Sequence, residues 1–145
     1  MNWYRMDLQI HTPASSDYRD PNATYLQILQ KAEAKGVDII AFADHNTVSG
    51  YAAMLKEIAT LERLESRARL TEQDVIDLAE FRRLRETLLV LPGFEFTATF
   101  GFHILGIFPP GTSLRKLELL LLQLEVPEEK MLAGAPDAGA TSDVI

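Results

Sequence analysis

Short apolar runs alternate with longer amphipathic segments along this chain. The apolar runs predict four strands, at residues 3–11, 37–43, 89–97 and 103–108. The second run is almost continuously apolar, which is typical of a strand buried on both faces. Strands that alternate with helices indicate an α/β fold with mainly parallel strands.

Helix signals lie between these strands. Thr24 and Gln27 have the spacing of a capping box, and the helix that they begin is expected to end at Gly36. Residues 49–89 are rich in Glu and Arg and predict a solvated connection of two helices. A leucine-rich amphipathic helix is expected over residues 113–124.

The length of 145 residues is that of one domain. We assign residues 1–132 to this domain. Residues 133–145 are rich in Gly, Ala and Pro, which is typical of a flexible tail.

Composition removes several classes of function. The 14 Lys and Arg residues against 21 Asp and Glu residues give a net charge of -7, which disfavours a long nucleic acid as partner. The absence of cysteine excludes disulfides, thiolate metal sites and a cysteine nucleophile. No apolar run reaches the ~18 residues of a membrane span, and the start of the chain does not resemble a signal peptide. We therefore expect a cytoplasmic protein with no membrane partner.

The three histidines of the chain lie at the ends or beginnings of predicted strands. His11 ends the first strand, His45 follows the second directly after Asp44, and His103 begins the fourth, eight residues after Glu95. The carboxyl ends of parallel strands meet at one crevice, where ligands bind. Imidazole and carboxylate groups that converge there would suit zinc, manganese or iron.

Each of these residues also has a plain structural interpretation. A single strand histidine is commonly a hydrogen-bonded residue at the rim of the core. Gln9 shares a strand face with Asp7 and His11, but its amide oxygen would bind such metals more weakly than imidazole. Asp17 lies in the loop after the first strand, where it is equally well explained as a turn-forming residue.

Four segments in the chain carry a family resemblance. Asp7–Ser15 resembles D-L-H-x-H-T-x-x-S, Ala43–Thr47 resembles T-D-H-x-x, and Pro92–Thr97 resembles P-G-x-E-x-T. His103–Gly106 then matches H-x-L-G. These are motifs of the PHP (polymerase and histidinol phosphatase) superfamily, in the same order. The chain most resembles the amino-terminal part of PHP domains that are joined to an ATPase region.

The resemblance implies a distorted (β/α)7 barrel with up to three divalent metal ions, of zinc, manganese or iron, at the carboxyl ends of the strands. Glu95 matches the carboxylate that bridges two metals, and Asp17 and His45 match ligands of the same outer metal. Asp44 would orient the ligands rather than bind metal. The six residues at ligand positions are Gln9, His11, Asp17, His45, Glu95 and His103.

The function that the resemblance implies is hydrolysis of a phosphate ester by a metal-activated water. The substrate would be a phosphorylated small molecule or a nucleotide. Two departures matter: Gln9 stands where the family has a histidine, and the later histidine motif and closing D-x-H motif are not found in these residues. We therefore expect roughly the first half of the barrel, low activity for this chain alone, and association with the remainder of the barrel or with an oligomer partner. The alternative is a degenerate, non-catalytic PHP module that binds a metal or a partner in a larger protein.

Overall fold

The structure of this chain is a computed structural model, and it describes residues 2–98 and 101–136. Strands and helices alternate through most of this range, as the sequence predicts. The elements are β1 (Met6–Ile10), α1 (Tyr25–Ala34), β2 (Ile39–Phe42), α2 (Ser49–Glu65), α3 (Glu72–Thr87), β3 (Leu89–Thr97), β4 (His103–Ile107), α4 (Leu114–Gln123) and α5 (Glu128–Ala133).

The four strands form one sheet in the order β1-β2-β3-β4. The first three strands are parallel, which confirms the predicted α/β class and the mainly parallel sheet. β4 is antiparallel to β3, with Thr97 opposite His103 and Glu95 opposite Leu105. The reason is the length of the connection, because residues 98–102 are too few for the crossover that a parallel strand requires.

The predicted helix boundaries are confirmed where capping residues define them. Thr24 Oγ1 accepts a hydrogen bond from Gln27 N at 3.2 Å, and Thr24 N donates to Gln27 Oε1 at 3.0 Å. Gly36 follows α1 with φ +67°, the left-handed conformation that ends many helices. Residues 49–89 contain the two predicted helices, α2 and α3. None of the helices in the described ranges has the length and apolar character needed to cross a bilayer.

The first two strands are shorter than the sequence predicts. Trp3 and Tyr4 are largely exposed, so the apolar side chains at the predicted start of β1 pack against no core. Just before the two strands, Arg5 N donates to Asp38 Oδ2 at 2.7 Å, and Asp38 N donates to Arg5 O at 2.8 Å. These hydrogen bonds join the approaches to β1 and β2 and leave the regular ladder to residues 6–10 and 39–42.

Two apolar clusters fix the orientation of the sheet. One lies between β2 and helices α1–α3 and includes Phe42 and Phe81. The other joins β3 to α4 through Phe94, Phe96 and neighbouring leucines. Because side chains alternate across a strand, Glu95 points to the face opposite Phe94 and Phe96. The packing of β3 against α4 therefore directs a buried carboxylate towards the polar face of the sheet.

Candidate metal centre

One edge of the sheet brings the three histidines together. His11 follows β1 and His45 follows β2, while His103 is the first residue of β4. Because β4 runs antiparallel, its beginning lies at the same edge as the carboxyl ends of the other strands. The ring centroids of His11 and His45 are 4.4 Å apart, and those of His45 and His103 are 5.7 Å apart. The expected convergence at the strand ends is therefore present.

Glu95 lies at the centre of this group and is only 1% exposed. Its Oε2 accepts a hydrogen bond from Gln9 Nε2 at 2.7 Å and lies 3.0 Å from His11 Nε2. Its Oε1 contacts His103 Nδ1 and lies 3.8 Å from His45 Nδ1. Burial acts to raise the pKa of Glu95, but the hydrogen bonds to its carboxylate outweigh burial and place this pKa below its ordinary value. The carboxylate is therefore held in its ionised form.

Asp17 provides a second carboxylate, which lies near both His11 and His45. Its Oδ1 lies 3.5 Å from His11 Nδ1, and its Oδ2 lies 3.3 Å from His45 Nε2. The loop after β1 thus carries the Asp17 carboxylate back over the strand ends, and the side chain stays about half exposed. Among the residues that the structure describes, two groups of candidate ligands result, and the ligand atoms of each group lie within 4.8 Å of one another. One group is His11, Asp17 and His45; the other is His45, Glu95 and His103.

His45 belongs to both groups. The environment of its Nδ1 atom indicates whether a metal ion fits the site. Its side chain is buried, and its Nδ1 has no hydrogen-bond partner among the described residues. A buried polar atom left without a partner costs about 1–3 kcal/mol. Imidazole nitrogens and carboxylate oxygens form a donor set that suits zinc, manganese or iron. The residues therefore fit a divalent cation, and their individual roles as ligands stay predictions.

Asp44 is buried beside the site but belongs to neither group. Its carboxylate accepts hydrogen bonds from Thr12 N at 2.6 Å, Thr12 Oγ1 at 2.8 Å and Ser15 Oγ at 3.0 Å. Ser15 Oγ in turn accepts from His45 N at 3.0 Å. Burial raises the pKa of Asp44, and the hydrogen bonds from Thr12 and Ser15 oppose this rise. These are the contacts that a residue positioning His45 would make.

The hydroxyls of Thr12 and Ser15 and the glycine at position 50 are parts of the site that the sequence reasoning missed. A Cβ atom at Gly50 would lie closer than 3.0 Å to both Asp44 Oδ2 and Thr12 Oγ1. Gly50 is the second residue of α2, and its lack of a side chain lets that helix start directly against Asp44. The available signal was a glycine inside the first turn of a predicted helix, a place where it weakens helix propensity.

Residues 134–136 cross the same edge of the sheet. Ser16 N donates to Gly134 O at 3.0 Å, and Asn46 Nδ2 donates to Ala135 O at 2.8 Å. Thr97 Oγ1 donates to Pro136 O at 2.9 Å. This 134–136 segment is part of the tail predicted from residue 133. Its carbonyl groups accept hydrogen bonds from the loop after β1, the loop after β2 and the end of β3. The remainder of that predicted tail, residues 137–145, lies outside the described residues.

Comparison with known proteins identifies no family for this chain. No family model matches the chain, and a search of curated proteins returns no significant match. The resemblance to the PHP superfamily rests on the four motif segments alone, and membership of that superfamily is accordingly a proposal.

Proposed function

We propose that this chain is a metal-dependent phosphoesterase module of the PHP type, comprising roughly the first half of a distorted (β/α)7 barrel. The observation that carries the proposal is the position of Glu95, a buried carboxylate that lies within 4 Å of three imidazoles. The residues around it are those at the ligand positions of the PHP motifs. Zinc, manganese or iron would be the metal, with up to three ions in a complete site.

The side chains of the site have two proposed roles. Some provide negative charge for the cations, and others form the entrance for the substrate. Divalent cations, when bound, lower the pKa of a water towards neutrality and stabilise the oxygens of a phosphoryl group. Glu95 supplies negative charge at the bottom of the site, where water is excluded. Asp17 and His103, each close to half exposed, form the rim by which a phosphate ester would enter.

The serine of the first motif is not available as a nucleophile. Ser15 is buried, its hydroxyl donates to Asp44, and the same oxygen accepts from His45 N. A nucleophilic serine needs an adjacent base and an open path to the substrate. This arrangement favours attack by water over a covalent intermediate on the protein.

The substrate would be a phosphorylated small molecule or a nucleotide, and the net charge of -7 disfavours a long nucleic acid. Completion by the rest of a barrel or by an oligomer partner is also part of the proposal. β1 and β4 are the outer strands of the described sheet, and Met6, Ile104 and Leu105 on them are exposed. Unpaired strands with exposed apolar side chains favour association.

A non-catalytic PHP module is the second candidate, and one contact favours it. The Gln9 amide donates to Glu95 Oε2 at 2.7 Å, the same oxygen that faces His11. This hydrogen bond uses a lone pair that a bridging carboxylate would offer to a metal. Gln9 would then keep Glu95 in place for a centre that holds fewer ions and does not turn over.

Metal content and hydrolysis together test the two candidates. We expect mass spectrometry to find zinc, manganese or iron in the purified chain, and we expect Glu95→Gln to lose most of it because an amide cannot neutralise the cations. Gln9→Ala should retain the metal, and Glu118→Gln on the exposed face of α4 is the matched control. His103→Ala, at a partly exposed position, provides a second variant if Glu95→Gln fails to fold.

Each result bears on a different part of the proposal. Full retention of metal by both Glu95→Gln and His103→Ala would refute the metal centre. Metal binding without hydrolysis of p-nitrophenyl phosphate, by this chain or by a longer chain that contains the later motifs, would favour the non-catalytic module. Hydrolysis that His11→Ala and a chelator abolish would support the phosphoesterase.

A further inference from the structure

The 134–136 segment offers three consecutive carbonyl groups, and each accepts a hydrogen bond from a different part of the chain. The donors are Ser16 in the loop after β1, Asn46 in the loop after β2 and Thr97 at the end of β3. The Ser16 hydroxyl donates to Gly134 O as well, at 3.2 Å. The segment therefore joins three parts of the chain that are far apart in sequence.

Each of the three donors is a near neighbour of a candidate metal ligand. In chain order, the pairs of donor and ligand are Ser16 and Asp17, Asn46 and His45, and Thr97 and Glu95. The first two pairs are adjacent in sequence, and the third is two residues apart on one face of β3. The hydrogen bonds to the segment thus act on the backbone that carries the candidate ligands.

Asn46 connects two of these parts directly. Its side chain is 1% exposed and donates to Ala135 O, while its backbone N donates to Glu95 O at 2.7 Å. Asn46 has φ 54°, a left-handed conformation that is uncommon outside glycine and persists where the surrounding structure holds it. These contacts fix the loop after β2 to both β3 and the 134–136 segment.

The backbone before Asp17 is held from two sides. The connection between β1 and α1 spans residues 11–24, so the strand alone does not fix the position of Asp17. The Ser15 hydroxyl donates to Asp44, and the Ser16 backbone N donates to the 134–136 segment. Asp17 itself is about half exposed, so its position depends on these anchors more than on packing.

The segment is itself held against this loop. Met131 of α5, just before the segment, packs against the apolar cluster that joins β3 to α4. Gly134 then has φ +55°, and a Cβ atom there would lie closer than 3.0 Å to Ala14 O. Because Gly134 has no side chain, the segment can lie directly on the backbone of the loop after β1.

We infer that Ser16, Asn46 and Thr97 are positioning residues of the metal centre, which they serve by holding the 134–136 segment across the strand ends. This inference rests on the metal centre of the proposed function and deepens it. The segment fixes the distances between three separate ligand-bearing parts of the chain before a cation binds. Groups behind the ligands matter for metal binding, since their loss typically costs roughly 10–100-fold in affinity.

The Kd for Zn²⁺, measured by competition with a coloured chelator, tests the inference in the whole chain. Gly134→Ala forces the segment away from Ala14 O and should raise this Kd about tenfold. Gly111→Ala in the turn between β4 and α4 is the matched control. Gly111 also has a positive φ, +79°, but a Cβ atom there meets nothing within 4 Å, so this variant should keep the wild-type Kd.

Two substitutions of Thr97 test a single hydrogen bond and serve if Gly134→Ala fails to fold. Valine keeps the shape of threonine but cannot donate to Pro136 O, so Thr97→Val should raise the Kd for Zn²⁺ by about threefold to tenfold. Thr97→Ser retains the hydroxyl and should bind Zn²⁺ within about twofold of the wild type. An unchanged Kd in Thr97→Val would overturn the inference.

Two measurements separate positioning from a merely structural role. Chemical denaturation gives the free energy of unfolding, which a structural role would lower without changing the Kd of the folded protein. Hydrogen exchange of the Ser16 amide, which donates to Gly134 O, should become faster in Gly134→Ala and stay unchanged in Gly111→Ala. Faster exchange at Ser16 together with a wild-type Kd would overturn the inference, as would an equal loss of affinity in both glycine variants.

Failure of this inference is distinguishable from failure of the proposed function. If the wild-type chain and the segment variants bind Zn²⁺ equally tightly, the positioning role is wrong and the metal centre stands. If the Kd depends on the segment but neither this chain nor a longer chain with the later motifs hydrolyses p-nitrophenyl phosphate, the positioning role stands and the phosphoesterase fails.

Discussion

Replacing Gly50 by alanine should destabilise the protein, although the same change inside a helix usually stabilises it. A Cβ atom at this position would lie closer than 3.0 Å to Asp44 Oδ2 and to Thr12 Oγ1, whereas ordinary contacts begin at 3.4 Å. The two oxygens are joined by a hydrogen bond of 2.8 Å. The added methyl group would therefore press against both ends of one buried hydrogen bond.

The size of the effect follows from the groups that must move. Loss of a hydrogen bond to a charged group costs about 1.5–3 kcal/mol, and the gain in helix propensity from Gly to Ala is at most ~1 kcal/mol. We expect a net loss of about 1–2 kcal/mol in the free energy of unfolding. For a chain of this length this corresponds to a fall in Tm of about 3–7 °C.

Chemical denaturation and thermal unfolding followed by circular dichroism measure this loss. Ala59→Gly at an exposed position of the same helix is the control, and it should lose about 1 kcal/mol through helix propensity alone. If Gly50→Ala is as stable as the wild type, or more stable, helix propensity governs this position. The contact between α2 and Asp44 would then not limit the side chain at position 50.

Three further predictions concern the residues around the site. Asp44→Asn should lower the free energy of unfolding by about 1–3 kcal/mol, because an amide donor would face hydrogen-bond donors from Thr12 and Ser15. Burial raises the pKa of Asp44, so the folded state binds the proton of this carboxyl group more strongly than the unfolded state does. The stability of the wild type relative to Asp44→Asn should therefore fall as the pH rises above about 4. A relative stability that rises over this pH range would contradict the argument. Asn46→Gly keeps the backbone at φ 54° accessible but removes the hydrogen bond to Ala135 O, so hydrogen exchange should speed up in residues 131–136. Exchange there that is unchanged, or that rises equally in Asn22→Gly, would show that Asn46 does not hold this segment.

The elements and the meeting of the histidines could be predicted because both follow from local patterns. Apolar runs and capping residues define the strands and helices, and the parallel order of β1, β2 and β3 brings their carboxyl ends to one edge. The antiparallel direction of β4 is less accessible to pattern reasoning, since the apolar residues 103–108 fit either direction and the short connection decides between them. Even so, the direction places His103 where the site requires it.

The contacts that support the site could not be read from residue types. Asp17 was equally consistent with a turn and with a ligand, and only the path of its loop brings it to 3.3 Å from His45 Nε2. Asp44, Thr12 and Gly50 depend on the approach of α2 to the loop after β1, which is a tertiary contact. Likewise, no periodic pattern marks residues 134–136 as partners of Asn46 and Thr97.

Because Thr97 pairs with His103, the position of the His103 side chain depends on whether an odd or an even number of residues is inserted into β4. Residues directly opposite each other share a face of the sheet, so His103 and Leu105 lie on the same side as Glu95 and Thr97. One residue inserted between His103 and Leu105 would turn the imidazole to the side of Phe94 and Phe96, while the rest of the strand kept its pairing. Two inserted residues would restore its side but move it about 7 Å along the strand. During divergence of such a sheet, length changes would therefore be tolerated in the turn before β4 and selected against within its five residues.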